Sequence, residues 1–266
     1  MVCLPCFIGK YCFSFWFFLI YNLKDLSVFS WKFDFGLAKL LLKNSWPLIF
    51  SGIVVSLYMK IDQVMIKEML DSQAVGIYAS AVNLSEAWYF VPVMISSSLF
   101  PAIIESKKIS EELYYERLQK LYDFLYIIAL AIIFPTTFLS DFVIDLLYGQ
   151  DYFGAGTVLS IHIWAGLFVF LGVARGKWIL TENLQKYTLI YTSAGSICNI
   201  VLNLYLIPLY GINGAAFATL ISQFTSVILA PLCIKETRIS VIMLLKSIFF
   251  ITILKDMLKF LRLRMH

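Results

Sequence analysis

Seven stretches of this 266-residue chain are long and apolar enough to lie as helices across a hydrocarbon layer: residues 4–21, 46–70, 75–103, 121–147, 156–180, 187–207 and 212–234. A spanning helix needs about 20 apolar residues, because each adds 1.5 Å of rise to a core about 30 Å thick. A transmembrane barrel would instead need strands of about ten residues alternating apolar and polar, whereas Ile127 to Pro135 and Val227 to Ile234 are nearly unbroken apolar runs. Only 14% of the residues are charged and 61% are apolar, against about 25% charged in a soluble domain. The expected fold class is an all-α membrane protein: a polytopic helical bundle of about seven transmembrane helices with an amphipathic C-terminal tail.

Residues 240–261 are apolar but interrupted by Lys246, Lys255, Asp256 and Lys259, which suits a membrane surface better than bilayer depth. Residues 33–45 pair Phe35, Leu37 and Leu40 to Leu42 with Lys39 and Lys43 ahead of Trp46-Pro47, the pattern of a surface helix feeding a membrane helix. The expected organisation is an atypical first span (1–21), an amphipathic linker (22–45), a six-helix lobe (46–234) and a basic interfacial tail (235–266). Alternate loops hold 18 of the 21 basic residues, while 71–74, 148–155 and 208–211 hold none. Basic loops stay on the cytoplasmic side, so the expected location is the cytoplasmic membrane with a cytoplasmic C-terminus. The first span then runs inward, which suggests that an upstream portion with an odd number of spans precedes it.

Several function classes find no support. Cys3-x-x-Cys6 has no second pair, the five cysteines read as apolar filler, and the histidines are only His162 and His266, so no metal or other cofactor is expected. A net charge of +4, spread over loops, does not suggest nucleic acid. Gly172 to Trp178 superficially suggests a phosphate loop but has three residues between its glycines and Trp after Lys177, so it is not one. No catalytic constellation is visible, and Asp141 and Asp145 read as solvated groups at a helix end. The chain is not expected to be an enzyme.

Ionisable groups inside spans cost roughly 2.5–3.5 kcal/mol on insertion scales and mark a cavity or a partner. Ser56, Lys60, Gln63 and Lys67 fall on one helix face, Asn83 and Glu86 share a face of the next span, and a turn near residue 72 brings Glu86 within about a turn of Lys60 and Asp62. Lys60, Asp62, Gln63, Asn83 and Glu86 are therefore candidate transport-path residues, able to meet an anionic substrate or a coupling ion; a Lys60–Glu86 ion pair is the competing structural reading. Arg175 and Lys177 close the fifth span where cations could pair with phosphate oxygens or simply anchor the helix. His162 reads as a packed histidine, and Asn199, Asn203 and Gln223 as amides bonding between helices. Gly211, Gly214, Ala215, Ala216 and Ala218 suit a tight turn followed by close helix approach.

The stretches N-S-W-P-L-I-F-S-G from Asn44, Y-M-K-I-D-Q-V-M-I at 58–66 and V-G-I-Y-A-S-A-V-N-L-S-E-A-W-Y-F-V-P at 75–92 resemble the second half of oligosaccharide flippases. These are the polysaccharide-biosynthesis and O-antigen flippases of the multidrug/oligosaccharidyl-lipid/polysaccharide exporter superfamily. The likeness continues through S-S-L-F-P-A-I at 97–103, L-L-Y-G-Q-D-Y at 146–152, S-I-H-I-W-A-G-L-F-V-F-L-G-V-A-R at 160–175 and I-P-L-Y-G-I-N-G-A-A-F-A-T at 207–219, covering roughly residues 40–235. The resemblance implies one six-helix lobe of a two-lobed transporter, lacking the first lobe, that moves a polyprenyl-pyrophosphate-linked oligosaccharide across the membrane by alternating access with an ion gradient as driver. Its partners would be membrane lipid, the lipid-linked oligosaccharide and a separately encoded N-terminal half. Alternatives are a cation-coupled drug exporter of the same superfamily, an inactive membrane remnant or partner subunit, and, from another class, a membrane glycan polymerase or ligase. The short, nearly uncharged loops expected outside disfavour the last.

Overall fold

The computed structural model describes residues 34–249, and no strand occurs among them. The protein is a helical membrane protein, with five continuous helical segments long and apolar enough to span a bilayer: Ser45–Met69, Ser72–Ile109, Glu111–Tyr148, Ala155–Thr181 and Lys186–Cys233. The sequence-expected span at 4–21 and the last part of the tail, from residue 250 on, lie outside the described residues. Two compact units divide the chain between Asn44 and Ser45. In the first, Asp34 caps the helix start by accepting from the Leu37 backbone N–H, and Phe35, Leu37 and Leu40 to Leu42 are exposed.

The helices are α1 (Phe35–Met69), α2 (Ser72–Glu86), α3 (Phe90–Ile109), α4 (Glu111–Tyr148), α5 (Ala155–Thr181), α6 (Lys186–Phe224), α7 (Ala230–Cys233) and α8 (Arg238–Ile248). A single 3₁₀ turn, Ala87–Tyr89, joins α2 to α3 within one membrane-length segment. Side-chain caps set the sharp connections. The Asp71 carboxylate accepts from the Ala74 N–H at 2.7 Å to start α2, and Ser110 Oγ accepts from the Leu113 N–H at 3.1 Å to start α4. At the second of these, Lys107 and Lys108 close α3 while Glu111 and Glu112 open α4, so each charge meets the favourable end of a helix dipole.

The last long segment is two helices. Gly211, at φ 58° and ψ −140°, breaks α6, a backbone conformation closed to side chains with a Cβ. The chain then doubles back so closely that a Cβ on Gly214 would lie 2.1 Å from the Leu206 carbonyl oxygen, and one on Gly195 would lie 2.8 Å from Ser226 Cβ. The fifth spanning segment, Lys186–Cys233, is thus bent back on itself at Gly211.

α5 is the central helix, packed by α2, α3, α4, α6 and α8. Two apolar clusters surround it. One joins Ile66, Tyr78, Ile144, Leu159, Ile207 and Ala215; the other joins Leu125, Ile163, Phe170, Trp178, Val227 and Leu244. The first part of the tail departs from a purely interfacial role, because α8 buries Ser240, Val241, Met243, Leu244 and Ser247. Gln119 and Asp123 of α4 hold it, with Gln119 Nε2 donating to the Met243 carbonyl at 3.0 Å and to Ser247 Oγ at 2.9 Å.

The hairpin gives a direct stability prediction. Gly214→Val should cost about 3 kcal/mol or prevent folding, since the clash is with backbone that cannot turn aside. Gly76→Ala, where a Cβ meets nothing within 4 Å, should be neutral or slightly stabilising. Thermal unfolding in detergent micelles separates the two.

Candidate functional site

Asp62 of α1 is the deepest acidic side chain of the candidate set, 3% exposed. Its position follows from helical spacing: one turn before Ile66, it shares the face that packs inward, while Lys60, Val64 and Lys67 turn outward. Three helices bring neutral donors to it. Asn203 Nδ2 of α6 donates to Oδ1 at 2.6 Å; Thr219 Oγ1, beyond the Gly211 break, donates to Oδ2 at 2.6 Å; and the Tyr78 hydroxyl of α2 donates to Oδ2 at 3.0 Å. The second hydrogen of Asn203 Nδ2 goes to Asn199 Oδ1 at 3.2 Å, one helical turn away.

Tyr78, Asp62, Asn203 and Thr219 each lie six to eight residues from the α1–α2 turn or from Gly211. At 1.5 Å per residue all four sit about 10 Å in from that end of the bundle, roughly a third of the way through a 30 Å hydrocarbon core. They also mark the seam between the two apolar clusters. Leu159 and Ala215 belong to one and Ile163 and Val227 to the other, with His162 and Thr219 between. The site is a polar layer in an otherwise apolar interior.

Among the described residues no cation lies within ion-pair distance of Asp62. Every donor is neutral, so the hydrogen bonds solvate the carboxylate without cancelling its charge. A small pocket opens beside it and is lined also by Met59, Glu86, Tyr89, His162 and Gln223. Glu86 is half-buried, and the charges of Lys60 and Asp62 both act on it, yet Lys60 and Glu86 form no ion pair. The competing reading of a Lys60–Glu86 ion pair is not met among the described residues, and Lys60 is exposed. His162 is buried, its Nδ1 2.9 Å from Ser85 Oγ and its ring edge-on to Tyr78.

The remaining sequence candidates fall elsewhere. Lys60 lines a separate groove of about 510 Å³ with Ser56, Ile61 and Ser196. Gln63 is partly exposed and Asn83 exposed, and neither is among the donors to the Asp62 carboxylate. Lys177 reaches Ser97 Oγ at 3.2 Å and stands over the Phe100 ring. Arg175 is buried and turned inward, donating to the Val227 carbonyl at 2.6 Å. Of the sequence candidates, Asp62 and Glu86 line the same small pocket. The structure adds Tyr78, Asn199, Asn203 and Thr219, which sequence reasoning did not place at a site. The signal available for them was the pair of amides at i and i+4 in a chain with a lone carboxylate at the same depth.

A sequence model of the polysaccharide biosynthesis protein family matches residues 9–156, more than half of the chain. The chain belongs to the polysaccharide biosynthesis protein family. A relative, the capsular polysaccharide biosynthesis protein CapF of Staphylococcus aureus, is 25% identical over 185 residues, covering 68% of this chain and 46% of that protein. This family member thus spans about half the length of the curated relative it matches. No solved structure matches it.

The donor set predicts its own energetics. Thr219→Val keeps the shape and removes one charge-assisted bond, and should cost about 1.5–3 kcal/mol. With Asp62→Asn already present the same change should cost clearly less, because the carboxylate that needed the donor is gone. Unfolding of the two single variants and the double variant measures the difference.

Proposed function

We propose that this polysaccharide biosynthesis protein is one lobe of an ion-coupled flippase that moves a lipid-linked oligosaccharide across the cytoplasmic membrane. The observation that carries the reading is Asp62: a carboxylate within a membrane bundle, solvated by three neutral donors and without a basic partner among the described residues. Such a group favours an exchangeable monovalent cation, a proton or Na⁺, whose arrival changes the charge of the layer joining α1, α2 and both arms of α6. Binding there would bias how these helices pack, which is what alternating access requires.

The saccharide carrier is read from different residues. Lys60 in its groove with Ser56 and Ser196, and Lys177 beside Ser97, offer positive charge and hydroxyls to a pyrophosphate and its sugars. Gln63, on the same helix as Lys60 and Asp62, and Asn83 and Glu86, on α2, extend this polar path. The distribution of basic residues supports a cytoplasmic C-terminus and a cytoplasmic position for Lys177. Residues 46–234 form the six-helix lobe, residues 22–45 the amphipathic linker that precedes it and 235–266 the basic tail. A second, separately made lobe would complete the cavity, in keeping with a match that covers 46% of CapF.

Cells lacking their own flippase, given this chain with and without a supplied first lobe, test the reading by the amount of glycan exported at matched protein level. The expected result is export that depends on a Na⁺ or proton gradient and falls at least tenfold in Asp62→Asn. Export by neither form would contradict the transport function. Export unchanged in Asp62→Asn would remove Asp62 as the coupling site.

A further inference from the structure

The helix that supplies Thr219 to the Asp62 site does not continue as a regular α-helix. After Phe224 it widens into a π turn, Thr225–Leu229, and returns to α geometry at Ala230–Cys233. A π turn holds one more residue than an α turn and bonds its backbone less well, so it persists where something outside the helix takes up the loosened carbonyls. Here that is Arg175 of α5. Its Nη1 donates to the Val227 carbonyl at 2.6 Å and its Nη2 to the Ser226 carbonyl at 3.2 Å, and its guanidinium lies 5.1 Å from the centre of the Tyr191 ring.

This arginine is 7% exposed, and among the described residues no carboxylate lies within ion-pair distance of it. A buried cation without an acid is a costly way to fill space, since apolar side chains of the same volume pack there without desolvating a charge. What the guanidinium supplies is a planar fork that grips two successive carbonyls at once, which no apolar side chain and no lysine can do. The neighbouring backbones come in close to meet the turn: a Cβ on Gly195 would lie 2.8 Å from Ser226 Cβ, and one on Gly172 would touch Val227 Cγ2 at 3.4 Å.

We propose that Arg175 is a positioning residue for translocation, holding the 225–229 turn in its π register, and that release of Ser226 and Val227 lets the turn close to α. Closing it by one residue turns everything beyond it by about 100° and moves it by about 1.5 Å relative to Thr219. What lies beyond is α7 and then α8, which is seated on α4 through Gln119 and Asp123. The π turn thus links the layer at Asp62 to the far end of the bundle. This inference rests on the Asp62 reading for the trigger of the change, and on geometry alone for the hold itself.

Pulsed electron paramagnetic resonance on the full chain in nanodiscs tests it. Spin labels are placed on the native, exposed Cys233 and on a cysteine replacing the exposed Lys120 of α4, with the other cysteines changed to serine. Deleting Ser226 removes the additional residue, so an α turn then leaves Cys233 near its wild-type place and serves as the control for α geometry without a change of register. The expected result is that Arg175→Gln abandons the wild-type distance, by a shift on the order of 5 Å for a side chain carried through 100° on a helix 10–12 Å across, while the deletion keeps a distance close to the wild type. Arg175→Lys, a single point donor, should populate both distances. A wild-type distance in Arg175→Gln would overturn the proposal; should that variant not fold, a wild-type distance alone in Arg175→Lys would do the same. In the wild type, exchanging choline for Na⁺ or lowering the pH should shift the populations, and Asp62→Asn should abolish that response. A shift with Arg175→Gln but none with either cation would leave the hold standing and remove Asp62 as its trigger.

Discussion

A carboxylate taken out of water must be solvated by something, and in the interior of this bundle only the protein is available. Asp62 satisfies that requirement by drawing on three segments far apart in sequence: Tyr78 on α2, Asn203 before the Gly211 break and Thr219 after it. Thr219 reaches it only with the hairpin at Gly211 closed, and the hairpin closes this tightly because Gly214 lets the returning helix touch the Leu206 carbonyl. Local backbone geometry, helix packing and the polar site are therefore one construction. The apolar clusters on either side of the layer supply most of the adhesion, while the layer fixes which residues face one another.

The same helix carries a second dependence. Thr219 anchors it to Asp62, and Arg175 grips its π turn at Ser226 and Val227. One polar contact thus sits at the seam of the two clusters and the other inside the second cluster, on an element whose backbone has two available registers. Packed interiors do not deform smoothly, so an element of this kind changes by switching.

The helical class was legible in the sequence because apolar run length is a one-dimensional property, and counting from a turn near residue 72 puts Glu86 within about a turn of Asp62, with which it lines one small pocket. The Gly211 turn and the close approach after it were legible from the small residues at 211–218. Asn199 and Asn203 read in the sequence as amides that bond between helices; Asn203 does so, with Asn199 accepting its second hydrogen, but its target Asp62 was hidden because it lies 141 residues away on α1. Arg175 was misleading for a physical reason. A basic residue near the end of a span looks like a surface anchor, and only the three-dimensional course of the 225–229 turn shows that carbonyls, not headgroups, lie within its reach. No sequence pattern distinguished a π turn from a continuous helix there.

The most direct measurement is difference infrared spectroscopy of the protein in lipid, recorded as Na⁺ replaces choline at fixed pH and, separately, as the pH is lowered in choline. A cation-binding Asp62 predicts that at least one exchange perturbs a buried carboxyl band and that this band is missing from the spectrum of Asp62→Asn. Identical difference spectra for the wild type and Asp62→Asn under both exchanges would contradict it.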